Sequence, residues 1–449
     1  MTGIPFLIVF VVAIVVMIFM ISKLRIHPFF AILFVSLVLG VLGGIPLAAT
    51  TDANGNTVNG IATIIGNGFS STFTSIGIVI IFGAMIGTFL EATGAALKLA
   101  DMVVKLVGRK QPELAIELMG WVVSIPVFCD SGFVILNPIR KALVRKTGVS
   151  SVAMTVCLAG GLYCSHVFIP PTPGPIAAAN TLGVGNNLLL VMGLGCLVSV
   201  PALVGTWIYA KFIGKKVQAR DEAANSDVTV TYEELVASYG KLPSGFMALA
   251  PIIVPIILMA LSNISSILKW SGALSIACTF LGTPIIALAV GMIFGMILMI
   301  QTKKSSKLYD LANETLKTVG PILFVTAAGS VLGTVISSTS LVSFITEHAD
   351  SLQSIGILFP FLLAAIIKSA QGSSTVAITT TAGILAPLMV PLGMDSAIMS
   401  ALCVMAIGAG AMTVSHANDS YFWVVTNFGE MSPDQGYETQ TMVTLIEGL

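Results

Sequence analysis

Charge is the scarcest resource in this chain. Asp, Glu, Lys and Arg together make up 9% of 449 residues, against roughly a quarter in an average soluble domain. No water-facing surface can be assembled from so few charges, and 56% of the residues are hydrophobic. The 21 basic and 21 acidic residues balance and sit in short clusters, so there is no basic face for nucleic acid and no acidic tail. Six cysteines, Cys129, Cys157, Cys164, Cys196, Cys278 and Cys403, lie in apolar sequence without CxxC spacing, which argues against a disulfide framework or a zinc site. The chain has neither a GxSxG nucleophile elbow nor an HExxH metal motif, so an intramembrane hydrolase would lack its machinery, and no cofactor is expected. The first apolar run, Pro5 to Ser22, has no basic leader and no small-residue cleavage site, and reads as a retained span.

What is abundant is apolar sequence long enough to cross a bilayer, which takes about 20 residues. Such runs cover Pro5 to Ser22, Pro28 to Ala48, Ile76 to Leu97, Ser150 to Ile169, Asn187 to Ile213, Phe246 to Leu261, Ala273 to Ile300, Val319 to Phe344 and Ser396 to Val414. Lys and Arg mark cytoplasmic loops. Lys23 and Arg25 place the N-terminus outside, whereas Lys98, Lys105, Arg109 and Lys110 place the end of the third span inside. The stretch Ala115 to Ile139 is then followed by Arg140, Lys141, Arg145 and Lys146, which are again inside. A segment with both ends on one side is a re-entrant hairpin, with its tip near Asp130 in the helix-breaking run Ile125 to Gly132. Irregular backbone at that depth must line protein or a water-filled cavity. The same bookkeeping places Lys303, Lys304 and Lys307 inside and Glu347 to Asp350 outside. A second hairpin, Ile355 to Leu388, then enters from the outside, interrupted at Lys368 to Thr375.

The two halves can be laid over one another. Gly77, Gly87 and Thr88 correspond to Gly320, Gly333 and Thr334, Pro138 to Pro387, and Ser165-His166 to Ser415-His416, with an offset that drifts by only a few residues. The expected fold is an all-α polytopic membrane protein built as an inverted repeat, with two re-entrant hairpins and two broken transmembrane helices. Residues 1–213 form the first half with hairpin 115–139, 214–245 a cytoplasmic linker, and 246–449 the second half with hairpin 355–388. The second half lacks a counterpart to the span from Asn187, and the sequence reads as clipped before its last helix. Inverted repeats of this kind hold substrate near the midplane on broken helices.

After each hairpin a span stops in polar or proline-rich sequence: Ser165 to Pro175, with four prolines between 170 and 175, and Ser415 to Ser420. Proline removes backbone donors and forbids a continuous helix, and the half-helix N-termini this creates attract anions. Ionisable residues cost at least ~2.5 kcal/mol at the bilayer centre, and Asp130, His166, Lys368, His416 and Asp419 fall at these breaks. Asp130, Asp419, His166 and His416 are the candidates for proton or cation coupling. The plainer roles for them are capping a helix or bonding to backbone. Substrate contacts are expected from Lys368, Gln371, Gly372, Ser373, Ser374 and Thr375 in the second hairpin, and from Ser131, Gly132, Thr172, Asn418 and Ser420 at the other breaks. Hydroxyls in membrane helices also satisfy local backbone or pack between helices, and Lys368 has the alternative of snorkelling outward. Glu91, towards the inner end of its span, reads as interfacial.

The runs Phe128-Cys-Asp-Ser-Gly-Phe133, His166-Val-Phe-Ile-Pro-Pro-Thr-Pro-Gly-Pro175, Gln371-Gly-Ser-Ser-Thr-Val-Ala377 and Ser415-His-Ala-Asn-Asp-Ser-Tyr-Phe-Trp423 resemble the signature stretches of the gluconate permease (gluconate:proton symporter) family. The similarity covers nearly the whole chain. It implies a symporter of the bacterial inner membrane, within the ion transporter superfamily of paired hairpins, that moves gluconate, a related sugar acid or D-serine. Among gluconate carriers His is expected where this chain has Thr172, a departure that bears on the choice of substrate. The expected partners are a small organic acid, a proton or sodium ion and membrane lipid, with a homo-oligomer left open and no nucleic acid. A cation/proton antiporter shares inverted repeats and buried acids, and is separated from a symporter by whether an organic solute moves.

Overall fold

A computed structural model describes residues 3–51, 55–99, 102, 111–220, 240, 242–347 and 356–449. Lys105, Arg109, Lys110, Ile355, the segment 348–350 and most of the linker expected at 214–245 lie outside these residues. Helices form where the apolar runs lie. The first two runs become α1 (Gly3–Ser22) and α2 (Pro28–Leu42). Pro28 opens α2 at a position where a missing N–H costs nothing, behind His27, whose ring nitrogen accepts from the Phe29 amide. A two-residue strand β1 (Thr50–Thr51) then pairs antiparallel with β2 (Thr57–Val58).

The expected span at Ile76 begins earlier. A helix α3 (Ile61–Thr72) runs through a π turn at Phe73–Gly77 into α4 (Ile78–Thr93). The stretch 115–139 is two helices, α5 (Pro112–Val123) and α6 (Cys129–Thr147), separated by a break centred on Pro126. Next come α7 (Ser151–Phe168), which stops at the proline cluster, α8 (Pro173–Thr181), α9 (Leu188–Ile213) and α10 (Gly245–Ile267). The run Ala273 to Ile300, expected as one span, is α11 (Gly272–Gly282) and α12 (Pro284–Gln301). Thr283 between them is extended, φ −60° and ψ 130°, as the residue before a proline prefers. Helix α13 (Leu308–Ser337) starts well before the expected Val319, because polar residues such as Glu314 and Lys317 suit a helix outside the apolar zone although they interrupt an apolar run. The chain finishes through α14 (Leu341–Glu347), α15 (Leu358–Gln371), α16 (Ser374–Leu385), α17 (Ala397–Met412), α18 (Ser420–Phe428), α19 (Pro433–Gly436), a π turn and α20 (Met442–Gly448). Among the described residues six helices are long and apolar enough to cross a membrane. The protein is an all-α polytopic membrane protein.

The chain divides into two compact units, each assembled from three separated segments of the sequence. The first comprises Met1–Ile78, Gly174–Gly185 and Gly320–Ala411, and the second Val79–Pro173, Asn186–Val319 and Met412–Leu449. In the first unit α1 packs on α2, α14 and α15, and α15 folds back on α16. Gly329 and Gly333, one turn apart, face the carbonyls of Thr379 and Gly383, where an added Cβ would come to 3.0 and 2.7 Å.

The second unit is built around α7. All of its residues are buried, and it packs against α5, α6, α9 and α20. A helix apolar around its whole circumference belongs at the centre of a bundle. Beside it, Gly83 and Gly87 stand four residues apart on one face of α4. They meet the carbonyls of Pro171 and Pro126, where an added Cβ would come to 2.8 and 2.2 Å. Both proline breaks are thereby seated on one glycine-lined helix face.

Candidate functional site

In the second unit the start of α6, just after the break at Pro126, meets the turn before α18. Asp130 is in the first turn of α6, and its Oδ1 accepts from the Ser420 hydroxyl at 3.2 Å, across 290 residues of sequence. Cys129 Sγ donates to Asp130 Oδ2 at 3.6 Å. Asp419 is the N-cap of α18. Its Oδ1 accepts from the Tyr421 amide at 3.0 Å and its Oδ2 from the Ser415 hydroxyl at 2.6 Å. Satisfying an orphan helix amide in this way stabilises by about 1 kcal/mol. Ser131 interacts with Glu91 of α4, so Glu91 lies beside the start of α6. Gly132 packs against Leu162 of α7, where an added Cβ would come to 2.6 Å.

His166 is buried in the last turn of α7, and among the described residues its Nδ1 has no hydrogen-bond partner. It belongs to an aromatic column in which the His166 and Tyr163 rings stack 6.4 Å apart and Tyr163 meets Tyr421 of α18 at 5.1 Å. Thr172 is buried, and its hydroxyl donates to the Ile169 carbonyl at 2.7 Å, closing the proline turn. His416 and Asn418 lie in the turn before α18, where the His416 carbonyl accepts from the Asp419 amide. Asp130, Ser131, Gly132, His166, Thr172, His416, Asn418, Asp419 and Ser420 thus all fall in this unit.

The remaining candidates are in the first unit. Gln371 ends α15, and Gly372 follows in the left-handed region with φ +92°, a conformation natural to glycine. Its amide donates to the Lys368 carbonyl at 2.8 Å, and the fully buried Lys368 ammonium donates back to the Gly372 carbonyl. Ser373 caps α16 through the Val376 amide at 3.3 Å, Ser374 is buried and Thr375 is half-buried. Lys368 therefore closes the break between α15 and α16, a contact that snorkelling does not describe.

Two features escaped the sequence reading. One is a cleft of about 400 Å³ in the first unit, lined by Ser71, Thr72, Asn180, Thr181, Ser330, Thr334 and Ser337 together with small residues of α16 and the turn after it. Its size falls in the ~300–1,000 Å³ range of small-molecule sites. Thr334 and Ser337 donate their hydroxyl hydrogens to carbonyls one turn back, at 2.8 and 2.9 Å, and Asn180 donates to Ile176 at 2.9 Å. Thr334, Ser337 and Asn180 keep acceptor lone pairs and Asn180 keeps one N–H donor, a polar lining suited to a hydroxylated solute. Only the repeat matches at Gly333, Thr334 and Pro387 pointed here, because single hydroxyls scattered over three helices leave no motif. The other is Arg140, which reads as a loop charge but is fully buried. Its guanidinium donates to Asn137 at 2.7 Å, to the Ser151 hydroxyl at 2.5 Å and to the Phe428 carbonyl at 3.4 Å, tying α6 to α7 and α18.

The sequence was compared with known proteins. A family model described as GntP family permease matches residues 5–449. An uncharacterized permease of Haemophilus influenzae is 33% identical over 436 residues, covering 95% of this chain and 86% of its own. A gluconate permease of Zymomonas mobilis is 28% identical, with 97% and 94% covered. In three dimensions the YdaH transporter of Alcanivorax borkumensis superimposes with a TM-score of 0.67 at 14% identity, covering 94% and 95% of the two chains, a likeness of fold. The chain belongs to the GntP permease family and is a multi-pass transporter of the bacterial inner membrane, not an enzyme.

Proposed function

We propose that the protein is a proton-coupled symporter that imports gluconate, a related small hydroxylated organic acid or D-serine. The substrate class is carried by the hydroxyl- and amide-lined cleft of the first unit, which suits a row of hydroxyl groups and has no ionisable residue on its wall. The name of the gluconate permease relative supports the same class. Lys368 and the Gly372 to Thr375 segment at the start of α16 are the group we assign to the carboxylate, since a helix N-terminus and an ammonium both favour an anion. Coupling is assigned to the second unit, with Asp130 and Asp419 as ion carriers and His166 and His416 as the imidazoles that relay protons. Protonation and substrate binding would then favour the same inward-moving state, and each must strengthen the other by the same factor.

The test is uptake of labelled gluconate, D-serine and short hydroxy acids into vesicles holding the purified chain, with and without an inward pH gradient and with sodium in place of protons. Accumulation of at least one acid under the pH gradient is the expected result. Cation exchange with no movement of any organic solute would instead make the protein an antiporter.

A further inference from the structure

The Asp419 carboxylate is held from two sides, and the two supports differ in origin. Its Oδ1 accepts from the amide of Tyr421, two residues on and inside α18. Its Oδ2 accepts from the Ser415 hydroxyl at 2.6 Å, and Ser415 lies between helices, since α17 ends at Met412 and α18 starts at Ser420. A buried backbone N–H and C=O outside a helix need partners of their own. Ser415 is fully buried and finds both partners on the last helical run. Its amide donates to the Thr444 hydroxyl at 2.9 Å, and its carbonyl accepts from the Thr441 hydroxyl at 2.5 Å. Three residues apart along a helix, the two threonines share a face and hold one residue by both its backbone groups. Thr444 donates its own hydrogen to the Gln440 carbonyl at 3.0 Å, which leaves its oxygen as an acceptor for Ser415.

A second observation, independent of these bonds, is the backbone of the preceding residue. Val414 has φ +58°, in the left-handed region where a β-branched side chain is an outlier. Such a conformation persists only where its surroundings over-determine it. The last helical run is itself seated closely in the bundle. Glu447 Oε1 accepts from the Thr206 hydroxyl of α9 at 2.5 Å, and Gly160 of α7 leaves the space, because an added Cβ there would come to 2.3 Å from that oxygen. On the other side of Asp419, the Tyr421 hydroxyl donates to the Ala159 carbonyl of α7 at 2.9 Å. Both supports of the carboxylate therefore lead back to adjacent residues of the central helix.

We infer that Thr441 and Thr444 are positioning residues for ion coupling, holding the Val414-Ser415 backbone so that the Ser415 hydroxyl meets Asp419 Oδ2. A hydroxyl that engages one carboxylate oxygen also decides which acceptor positions of that carboxylate remain for a coupling ion. The clamp thus sets the geometry in which Asp419 takes up and releases its charge carrier, acting through Ser415. The inference deepens the coupling assignment of Asp419 made above and rests on it for its role in transport.

Infrared spectroscopy of the purified full chain carrying isotope-labelled aspartate carboxyls tests the clamp without any substrate. The Asp419 band is the one missing from Asp419→Asn. It should shift in Thr441→Val, Thr444→Val and Ser415→Ala and return to its wild-type position in Thr441→Ser and Thr444→Ser. It should stay in place in Thr439→Val, which removes a buried hydroxyl that donates to the Gln435 carbonyl of its own helical run at 2.7 Å. In vesicles the two Val variants and Ser415→Ala should lose acid-driven gluconate accumulation to the level of the gradient-free control while keeping counterflow exchange, and the Ser variants should recover it. A clamp that served folding alone would lower both transport modes together with the folded yield, and that result overturns the positioning role. So does an Asp419 band unmoved in Ser415→Ala, the variant that leaves both threonines in place and decides the matter if the Val variants fail to fold. If Asp419→Asn itself keeps full uphill transport, the coupling assignment falls, and the infrared comparison alone decides on the clamp.

Discussion

At the scale of single residues, the same amino acid has different work according to what surrounds it. Arg140 looks like a cytoplasmic anchor but is a buried strut with donors on Asn137, Ser151 and Phe428. Arg140→Ala should destabilise the protein by about 2–5 kcal/mol by leaving buried acceptors without donors. Arg140→Lys should restore only part of this, because an ammonium cannot reproduce the planar fork. Thermal unfolding midpoints in detergent check the order wild type, Lys, Ala. Ser373→Ala should cost about 1 kcal/mol through the lost cap and, together with Lys368→Ala, should raise the half-saturation concentration for substrate. Unchanged half-saturation in both would move the carboxylate site elsewhere. The acids at the breaks were legible as candidates, because a charge in apolar sequence is conspicuous.

At the scale of elements, breaks were easier to find than ends. Proline-rich and polar interruptions at 124–128, 169–172, 372–373 and 413–419 separate helices in the structure, because a missing N–H or a left-handed turn acts locally. The early start of α13 and the helix α3 were not visible, since a hydropathy window sees burial in lipid and not a helix that continues into polar surroundings. Gly87 shows what an element needs from its neighbour, for Gly87→Val would place a branched side chain against the Pro126 carbonyl. Overpacking of this kind costs roughly 1–3 kcal/mol, and a lower unfolding midpoint with reduced folded yield is the expected result. If the segment around α5 and α6 is re-entrant, cysteines placed at 105 and 146 should be labelled from the cytoplasmic side alike. Labelling from opposite sides would remove the hairpin and the inverted repeat with it.

At the scale of the whole molecule, the coupling proposal predicts how transport modes separate. Asp130→Asn and Asp419→Asn mimic the protonated carboxyl, so each should lose accumulation driven by a pH gradient yet keep exchange of substrate, which needs no net proton movement. Counterflow and acid-driven uptake in the same vesicles measure the two. Full uphill transport in both variants would leave His166, His416 or a sodium ion to couple.

Composition and charge spacing were enough to establish a polytopic, all-helical membrane transporter and to place its helix breaks. Those properties depend on the partition of each residue between lipid and water and on local backbone chemistry, both of which act within a few residues of sequence. The contact between Asp130 and Ser420, the hydroxyl- and amide-lined cleft and the buried Arg140 came only from the assembled fold. Each joins groups tens to hundreds of residues apart, and each depends on how closely two helix backbones approach, a distance that the absence of a Cβ permits but that only packing sets.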